Sequence, residues 1–329
     1  MRVGIGLYPD EPAGQLLQTA QLAERLGYAA LWIADSQLLW REMHALMGAV
    51  AATTRTIRLG SAVTNLVTRH PTVTASAFRT LDELSAGRVR LGVGTGDSAL
   101  ATLGRRPVAL RDFAAAVAEL RRLLDGERLV TPEDAAVRLA YDAGRPIPLY
   151  IAASGPRMLQ LAGRLADGAI VMNGVAPELV AAAIEQVHAG AREAGRDPAE
   201  IAIVVWAACH ASPSRGEHSF AAVKFNVART ILRPLPGPLD ELTRRTAAVV
   251  RECYDYAQHG DARAAFAASI PDALVPRFAF AGTPAAISEQ IAALAAIGVD
   301  EVALAVPSAA ASGTRDDVLE LLAPVLAQT

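Results

Sequence analysis

Eight short apolar runs alternate along this chain with longer stretches whose apolar residues recur at helical spacing. Apolar runs of about four to eight residues, bounded by Gly, Pro or polar side chains, predict buried strands. Strands that alternate with helices predict parallel βαβ units. The predicted strands are Val3–Tyr8, Ala30–Ala34, Ile57–Val63, Val89–Val93, Leu149–Ala152, Gly168–Met172, Ile201–Cys209 and Glu301–Val306.

The stretches between and after these strands have the apolar period of amphipathic helices. They cover Gln15–Leu26, Met43–Thr53, Thr72–Leu84, Phe113–Leu124, Met158–Leu165, Glu178–Ala194, Ala285–Ala296 and Asp317–Leu326. Such repeats favour a closed α/β barrel, the TIM (β/α)8 barrel, over an open doubly wound sheet. The length of 329 residues suits one barrel, so we predict a single domain over residues 1–329.

Two segments interrupt the alternation, Gly126–Pro148 and Ser212–Val275. The second contains helical patches and is rich in Pro and His. Insertions beside a barrel usually cover the mouth of the active site, at the C-terminal ends of the strands. We therefore expect an insertion at about residues 212–275 near this C-terminal face. A peripheral contact between copies of the chain is the alternative, and we expect a homodimer.

Composition excludes several classes of function. Hydrophobic residues make up 52% of the chain and charged residues 20%, which provides enough apolar material for a globular core. The formal net charge is -3 and the basic residues form no stripe, so nucleic acid is not an expected partner. Every apolar stretch is interrupted before the roughly 20 residues that cross a bilayer, so no membrane span is expected. Met1 leads into a predicted strand without a signal-peptide pattern, and a cytoplasmic location is expected.

Residue types with catalytic chemistry of their own are sparse or isolated. Cys209 and Cys253 form no CxxC pattern and are expected to fill apolar space. Lys224 is the only lysine, which leaves no strand-end lysine for Schiff-base chemistry, and no GxSxG nucleophile elbow occurs. An organic cofactor is then the expected source of reactivity. No metal site is expected, because metal-ligand spacing is absent among His44, His70, His188, His210, His218 and His259.

Polar and small residues follow the predicted strands. In α/β barrels the chemistry lies at the C-terminal ends of the strands. A ring of polar residues there is what a polar cofactor requires, although Asp, Asn, Ser and Gly are also ordinary residues of turns and helix caps. After the first six strands the residues are Pro9, Asp10, Glu11, Asp35, Ser36, Thr64, Asn65, Thr95, Gly96, Asp97, Ser98, Ser154, Gly155, Pro156, Asn173 and Gly174.

The sequence GVGTGD at residues 92–97 invites comparison with a dinucleotide-binding fingerprint. Asp97 stands where that motif requires its third glycine, and the segment follows the fourth strand instead of the first. A carboxylate beside a pyrophosphate is unfavourable, so this interpretation is rejected. We expect the glycines to let the backbone lie against a flat ring.

A helix start directly follows the fifth strand, at Ser154-Gly155-Pro156-Arg157. Ser154 is a possible N-cap, and Pro156 falls in the first turn. Phosphate would be stabilised there by the free N–H groups and the helix dipole, with Arg157 nearby. A capped helix without a ligand explains the same residues.

Three segments resemble the luciferase-like monooxygenase superfamily, especially its F420-dependent branch similar to methylenetetrahydromethanopterin reductase. They are LGSAVTNLVTRHP (59–71), LDELSAGRVRLGVGTGDSALATLGRRP (81–107) and ASGPRMLQLAGRLADGAIV (153–171). The order of the short motifs YPD, WIAD, AVTN, GTGD and SGP makes the resemblance specific. It implies a barrel that binds the deazaflavin coenzyme F420, while other branches use FMN and molecular oxygen.

The resemblance also implies cofactor-binding positions. One group forms a bulge behind the ring, with a cis peptide between Ala62 and Val63. A second group lines the pyrimidine side of the ring, and a third holds the phosphate. In that order the groups are Ala62, Val63, Thr64 and Asn65; then Thr95, Gly96 and Asp97; then Ala153, Ser154, Gly155 and Pro156, helped by Asn173 and Gly174.

Catalytic positions follow from the same resemblance. Asp35 matches an acidic residue that touches the cofactor in relatives, and Trp40 matches an aromatic residue placed over the substrate. Several deazaflavin relatives carry His after this Asp, whereas this chain has Ser36. A serine hydroxyl only relays a proton, so the proton donor is open between Asp97 and an acidic residue among Asp10 and Glu11.

The expected function is hydride transfer between F420 and a small organic substrate. An FMN-dependent monooxygenase on the same scaffold is the alternative, and a flavin-binding relative without activity is the third hypothesis. The substrate itself is not identified, because the pocket side chains belong to insertions that the sequence does not place.

Overall fold

The structure is a computed structural model that describes residues 1–130, 135–141, 144–213, 217–255, 264–310 and 313–326. Its centre is a closed barrel of eight parallel strands. The last of these pairs with the first, with Val3 beside Val302, and closes the sheet on itself. In chain order the barrel strands are β1 Arg2–Leu7, β2 Ala30–Ile33, β3 Arg58–Ser61, β4 Val89–Gly94, β5 Leu149–Ala153, β6 Gly168–Val171, β7 Ala202–Ala211 and β8 Glu301–Ala305.

All eight predicted strands are therefore confirmed, with two corrections at their ends. β3 stops at Ser61 instead of Val63, because the chain bulges there before the short strand Thr64–Asn65 pairs with β4. β7 continues to Ala211, where its end pairs with an unpredicted three-residue strand, Phe280–Gly282. A strand this short carries no detectable period in the sequence.

The eight predicted helices are also confirmed and surround the barrel. Four of them begin with a proline in the first turn, where its missing N–H group costs no hydrogen bond. Among the described residues, none of the helices combines the length and apolar character needed to cross a bilayer. Their bounds are α1 Ala13–Leu26, α2 Met43–Thr53, α3 Pro71–Leu84, α5 Leu110–Leu124, α6 Pro156–Leu165, α7 Pro177–Glu193, α12 Pro284–Ala295 and α13 Arg315–Leu326, with the short α4 Asp97–Ala101 after β4.

The segment between β7 and β8 forms further helices, which are α8 Glu217–Ile231, α9 Glu241–Cys253, α10 Ala265–Ala268 and α11 Val275–Phe278. Val223, Val227, Phe266 and Phe278 form an apolar cluster that joins these helices to the barrel. Side chains of α8 line the cavity at the barrel mouth, as expected for an insertion near the C-terminal face. Residues 131–134, 142–143, 214–216 and 256–263 of the two predicted insertions, including His259, lie outside the described residues. The single-domain organisation stays a prediction.

Large aromatic side chains fill the barrel interior opposite glycines. Trp32 on β2 is buried against β3, where a Cβ added to Gly60 would lie 2.2 Å from its ring. Gly168 faces Tyr150 on β5 in the same way, at 2.2 Å. Trp206 on β7 lies against Gly6 on β1, where an added Cβ would lie 2.6 Å from its ring. Trp32 and Tyr150 therefore each require a glycine on the adjacent strand, and Trp206 requires one on β1, the strand beyond β8.

One buried carboxylate lies at the N-terminal end of the barrel strands, away from the C-terminal face. Glu301 begins β8, is 1% exposed, and accepts a hydrogen bond from the Trp32 indole Nε1 at 2.6 Å. Arg2 and Arg90 lie 3.2 and 3.6 Å from its other oxygen. A buried charge is stable only when it is paired and hydrogen-bonded, and Glu301 satisfies both conditions.

We expect Gly60→Ala to destabilise the protein, because its methyl group collides with the Trp32 ring. The expected loss in the free energy of unfolding is about 1–3 kcal/mol, which is typical of overpacking. Gly14→Ala is the matched control, since Gly14 is exposed on α1 with nothing within 4 Å of the added Cβ. Denaturant unfolding measures both, and equal stability of the two variants would contradict the proposed packing.

Candidate functional site

A cavity of about 690 Å³ opens at the C-terminal ends of the barrel strands. Its walls come from the residues that follow β1, β2, β3, β4, β5 and β6, and from α8 and the turn after it. Most of the predicted site residues line it. They are Asp35, Trp40, Ala62, Val63, Asn65, Thr95, Gly96, Asp97, Ala153, Ser154, Gly155 and Pro156. The geometry thus brings these side chains to one cavity, and their contact with a cofactor stays a prediction.

Four predicted site residues lie behind the cavity wall. Ser36 is 1% exposed, and its hydroxyl is 2.9 Å from the Ser98 hydroxyl, which does line the cavity. Thr64 donates a hydrogen bond of 2.7 Å to Asp35 Oδ2. Asn173 donates one of 2.9 Å to the backbone oxygen of Ser154. The geometry favours an indirect, positioning role for these residues.

Gly174 is the fourth predicted site residue that lies behind the cavity wall. It has a φ of 88°, and an added Cβ would lie 2.7 Å from the backbone oxygen of Arg277. Its place in the wall therefore depends on the left-handed backbone that glycine accepts readily.

The bulge after β3 projects Val63 into the cavity. The peptide between Ala62 and Val63 is cis, as the family resemblance implied. Ser61 fixes the bulge to β4, because its hydroxyl donates to the Gly92 oxygen at 2.8 Å and accepts from the Gly92 N–H at 2.9 Å. An added Cβ at Gly94 would lie 2.7 Å from Val63 Cγ2. Gly92 and Gly94 therefore make room for the bulge, and the expected contact of this glycine segment with a flat ring stays a prediction.

The segment after β4 turns sharply at Gly96, whose φ is 87°, and begins α4 at Asp97. The Asp97 carboxylate forms an ion pair with Arg229 of α8. This pair links the barrel to the inserted helix across the cavity wall. Asp97 is thus a charged cavity residue with a cationic partner.

The start of α6 forms the opposite edge of the cavity. Gly155 is the N-cap residue, and no side chain accepts a hydrogen bond there, which corrects the expectation that Ser154 caps the helix. Pro156 has no N–H group, and the N–H groups of Met158 and Leu159 both donate to the Gly155 oxygen at 3.0 Å, so the N–H of Arg157 is the first-turn donor left for a ligand. With Arg157 also in the lining, this edge provides a backbone donor and a positive charge for an anionic group.

Several cavity residues were not predicted from the sequence. Tyr8 directly follows β1, and its ring centroid lies 5.2 Å from the Trp40 ring in a tilted contact and 5.8 Å from the Trp206 ring in an edge-to-face contact. Burial raises the pKa of Tyr8 to about 12, so its hydroxyl keeps its proton at neutral pH. The hydroxyl donates to Asn226 Oδ1 at 3.2 Å. Tyr8 is itself the first residue of the YPD motif, which was a usable signal for it.

Asp10 and Glu11 do not line the cavity, which is a correction to their expected role as candidate proton donors. Both carboxylates bind the buried Arg315 at the start of α13, and Arg315 also donates to the backbone oxygens of Tyr8 and Val306. Burial raises the pKa of Glu11, and the guanidinium of Arg315 opposes that effect. These acids hold the β1 loop to the end of β8.

Metal-ligating groups do not converge anywhere in the part of the chain that the structure describes. Cys209 is buried in β7, and burial raises the pKa of its thiol. Cys253 is exposed at the end of α9. The chemistry of the cavity therefore rests on carboxylates, hydroxyls, arginines and aromatic rings.

Comparison with known proteins identifies the family. Residues 1–301 match the family model of the luciferase-like monooxygenases, so the chain belongs to that family and is a luciferase-like oxidoreductase. The chain is 30% identical over 315 residues to the 5,10-methylenetetrahydromethanopterin reductase of Methanolobus tindarius, covering 93% of this chain and 94% of the relative. It is 31% identical over 317 residues to the same-named protein of Archaeoglobus fulgidus, again covering 93% and 94%.

A solved structure supports the same assignment. The coenzyme F420 dependent tetrahydromethanopterin reductase from Methanopyrus kandleri has a TM-score of 0.78 against this chain at 26% sequence identity. The match covers 98% of this chain and 97% of that one. The TIM barrel prediction is thereby confirmed.

We expect Gly155→Glu to weaken cofactor binding by at least about tenfold, because its carboxylate occupies the donor at the start of α6 and repels phosphate. An added Cβ also lies 2.9 Å from Pro234 Cγ. Titration with FMN and with F420 measures the effect. Gly14→Glu adds the same charge at an exposed position outside the cavity and is the control. Unchanged affinity for both cofactors would remove the phosphate site from α6.

Proposed function

We propose that this protein is an F420-dependent oxidoreductase that transfers hydride between the deazaflavin and a small organic substrate. The observation that carries the proposal is the arrangement of the cavity. The apolar bulge at Val63 and the start of α6, with the positive charge of Arg157, line one and the same cavity. The F420 dependence stated for the reductase from Methanopyrus kandleri supports this choice of cofactor.

Asn65 provides a specific test of fit. Its Oδ1 accepts hydrogen bonds from Val67 N, Thr68 N and Thr68 Oγ1 at 3.1, 2.9 and 3.1 Å, which fixes the orientation of the amide. Its buried Nδ2 has no hydrogen-bond partner within the described residues, although Asn65 lines the cavity. A buried donor without a partner is costly, and a ring carbonyl or ring nitrogen of the cofactor would satisfy it.

The residues present therefore fit a flat, polar-edged cofactor with a phosphate. Val63 would support the ring, Asn65 and Thr95 would bind its edge, and Gly155 with the first turn of α6 would hold the phosphate. A bound reduced deazaflavin would supply hydride to an acceptor carbon. The protein contributes orientation, exclusion of water and control of the proton.

The aromatic wall formed by Tyr8, Trp40 and Trp206 covers the part of the cavity left for the substrate. Large rings exclude water there, which strengthens every charge interaction in the cavity. Ser98 adds a hydroxyl to the lining and reaches the buried Ser36 hydroxyl at 2.9 Å. This pair offers a short path for a proton beside Asp97, the residue next to Ser98 in the chain.

Asp97 is the carboxylate best placed to hold or release the reaction proton. It lines the cavity, and its ion pair with Arg229 favours the ionised form. Asp35 is the other carboxylate in the lining, and it is occupied by the hydrogen bond from Thr64.

The cofactor is tested by titration of the purified protein with F420 and with FMN, followed by absorbance. We expect F420 to bind with a shift of its visible spectrum and reduced F420 to be oxidised by carbonyl, imine or alkene compounds without oxygen uptake. Oxygen consumption with reduced FMN alone would overturn the proposal in favour of a monooxygenase. Binding of a cofactor without turnover of any substrate would favour an inactive relative.

For Asp97→Asn we expect turnover to fall by roughly a hundredfold or more, the usual effect of losing a positioned acid or base. F420 affinity should change much less, because phosphate and ring edge are held elsewhere. Asp112→Asn on α5 is the control, as the Asp112 side chain is 58% exposed. Steady-state rates together with cofactor titration separate the two effects, and wild-type turnover of the Asp97 variant would exclude this role.

A further inference from the structure

The cavity lining carries more positive than negative charge. Two carboxylates, Asp35 and Asp97, face three guanidinium groups, those of Arg157, Arg229 and Arg233. Arg229 is paired with Asp97, and Arg157 is exposed at the start of α6 beside the proposed phosphate edge. Arg233 is the remaining cation, and it lies beyond the end of α8.

Arg233 has no carboxylate within ion-pair distance in the described part of the chain. Its guanidinium donates a long hydrogen bond of 3.4 Å to the backbone oxygen of Met172. Burial lowers its pKa to about 10, and the positive charge of Arg229 acts in the same direction. A guanidinium placed in this way is a binding site for an anion, because it brings charge and a planar set of donors to a poorly solvated wall.

Two further donors belong to the same wall. The Tyr8 hydroxyl bonds to Asn226 Oδ1 at 3.2 Å, longer than a usual O–H···O hydrogen bond, so a charged acceptor would compete for it. Asn226 Nδ2 is buried without a hydrogen-bond partner in the described residues. Arg233 is close enough to Tyr8 that its charge opposes the effect of burial on the phenol pKa.

We propose that the substrate carries a carboxylate, bound by Arg233 and Tyr8 against the aromatic wall of Trp40 and Trp206. This inference rests on the proposed function, since it concerns the substrate of the same cavity. A single guanidinium without an ion-pair partner in the described residues matches one negative charge, which favours a carboxylate over a phosphate dianion. A guanidinium also binds the two oxygens of a carboxylate in one plane. The substrates are then small organic acids with a reducible bond, or the corresponding alcohols.

The test measures binding of simple acids to the full protein without any cofactor. Calorimetry compares benzoate with benzamide, which has the same ring without the charge, and with inorganic phosphate. We expect benzoate to bind roughly ten- to hundredfold more tightly than benzamide, as hydrogen bonds to a charged group allow. Equal affinities for benzoate and benzamide would overturn the proposal. This comparison remains decisive even where neither F420 nor FMN binds.

Variants assign the charge to its residue. Arg233→Gln should reduce benzoate affinity to the level of benzamide, and Tyr8→Phe should reduce it several-fold. Arg111→Gln removes the same charge from α5 outside the cavity lining, where the side chain is 95% exposed, and as the matched control it should leave benzoate binding unchanged. Tyr8→Phe removes a single hydroxyl and keeps the test available where the Arg233 variant does not fold.

The cofactor phosphate is the other source of an anion for Arg233. In that case Arg233→Gln would weaken FMN or F420 binding as strongly as benzoate binding, and inorganic phosphate would displace benzoate. That result would overturn the assignment to the substrate. If Arg233→Gln retains cofactor affinity and loses benzoate affinity, the assignment of Arg233 to the substrate carboxylate is supported.

Discussion

The narrow interior of an eight-stranded barrel is the constraint on which the rest of this structure depends. Rings as large as those of Trp32, Tyr150 and Trp206 fit there only because the facing positions, on the adjacent strand or one strand further, are glycines. These pairs of ring and glycine fix the register of the strands that carry them, since a shift by one residue would turn a side chain into the ring. The register in turn decides which residues emerge at the C-terminal ends.

Charge is distributed differently at the two ends of the barrel. At the N-terminal end of the strands, the Glu301 carboxylate is paired with donors from Trp32, Arg2 and Arg90, so both of its oxygens have partners within the barrel. At the C-terminal end, Asn65 and Asn226 each keep a buried donor without a partner among the described residues. Arg58 and Arg90, near the N-terminal ends of β3 and β4, also carry such donors, but Asn65 and Asn226 belong to the cavity lining, where an unsatisfied donor is explained by a ligand.

Most of the fold was predictable from the sequence because the strands and helices are long enough to show their periods. Positions at strand ends, such as Val63 and Ser154, were also predictable, because parallel strands bring their C-terminal ends together. Asp10 and Glu11 could not be assigned correctly, since their partner Arg315 is about three hundred residues away in the chain. Contacts of that range leave no local signal.

The inserted helix α8 was the other limit of sequence reasoning. Its helical pattern was visible in the sequence, but its orientation relative to the barrel was not. That orientation decides that Asn226 and Arg229 line the cavity. The short strands Thr64–Asn65, at the bulge, and Phe280–Gly282, beside the end of β7, were missed for a related reason. Tertiary pairing with β4 and β7 defines them more than their own residues do.

The barrel and the insertion contribute different parts of the cavity lining. The bulge at Val63 and the start of α6 belong to the βα loops, and they are fixed by the barrel register. Tyr8 and the aromatic wall stand between those loops and α8, and the charges of Arg229 and Arg233 come from the insertion. Under the proposed function, changes in α8 can therefore alter which substrate is bound while the backbone at the start of α6 stays in place. The ion pair of Asp97 with Arg229 couples the two parts, because this cavity carboxylate takes its counter-ion from the insertion. A mutation that changes the charge of α8 would thus also change the electrostatic environment of Asp97.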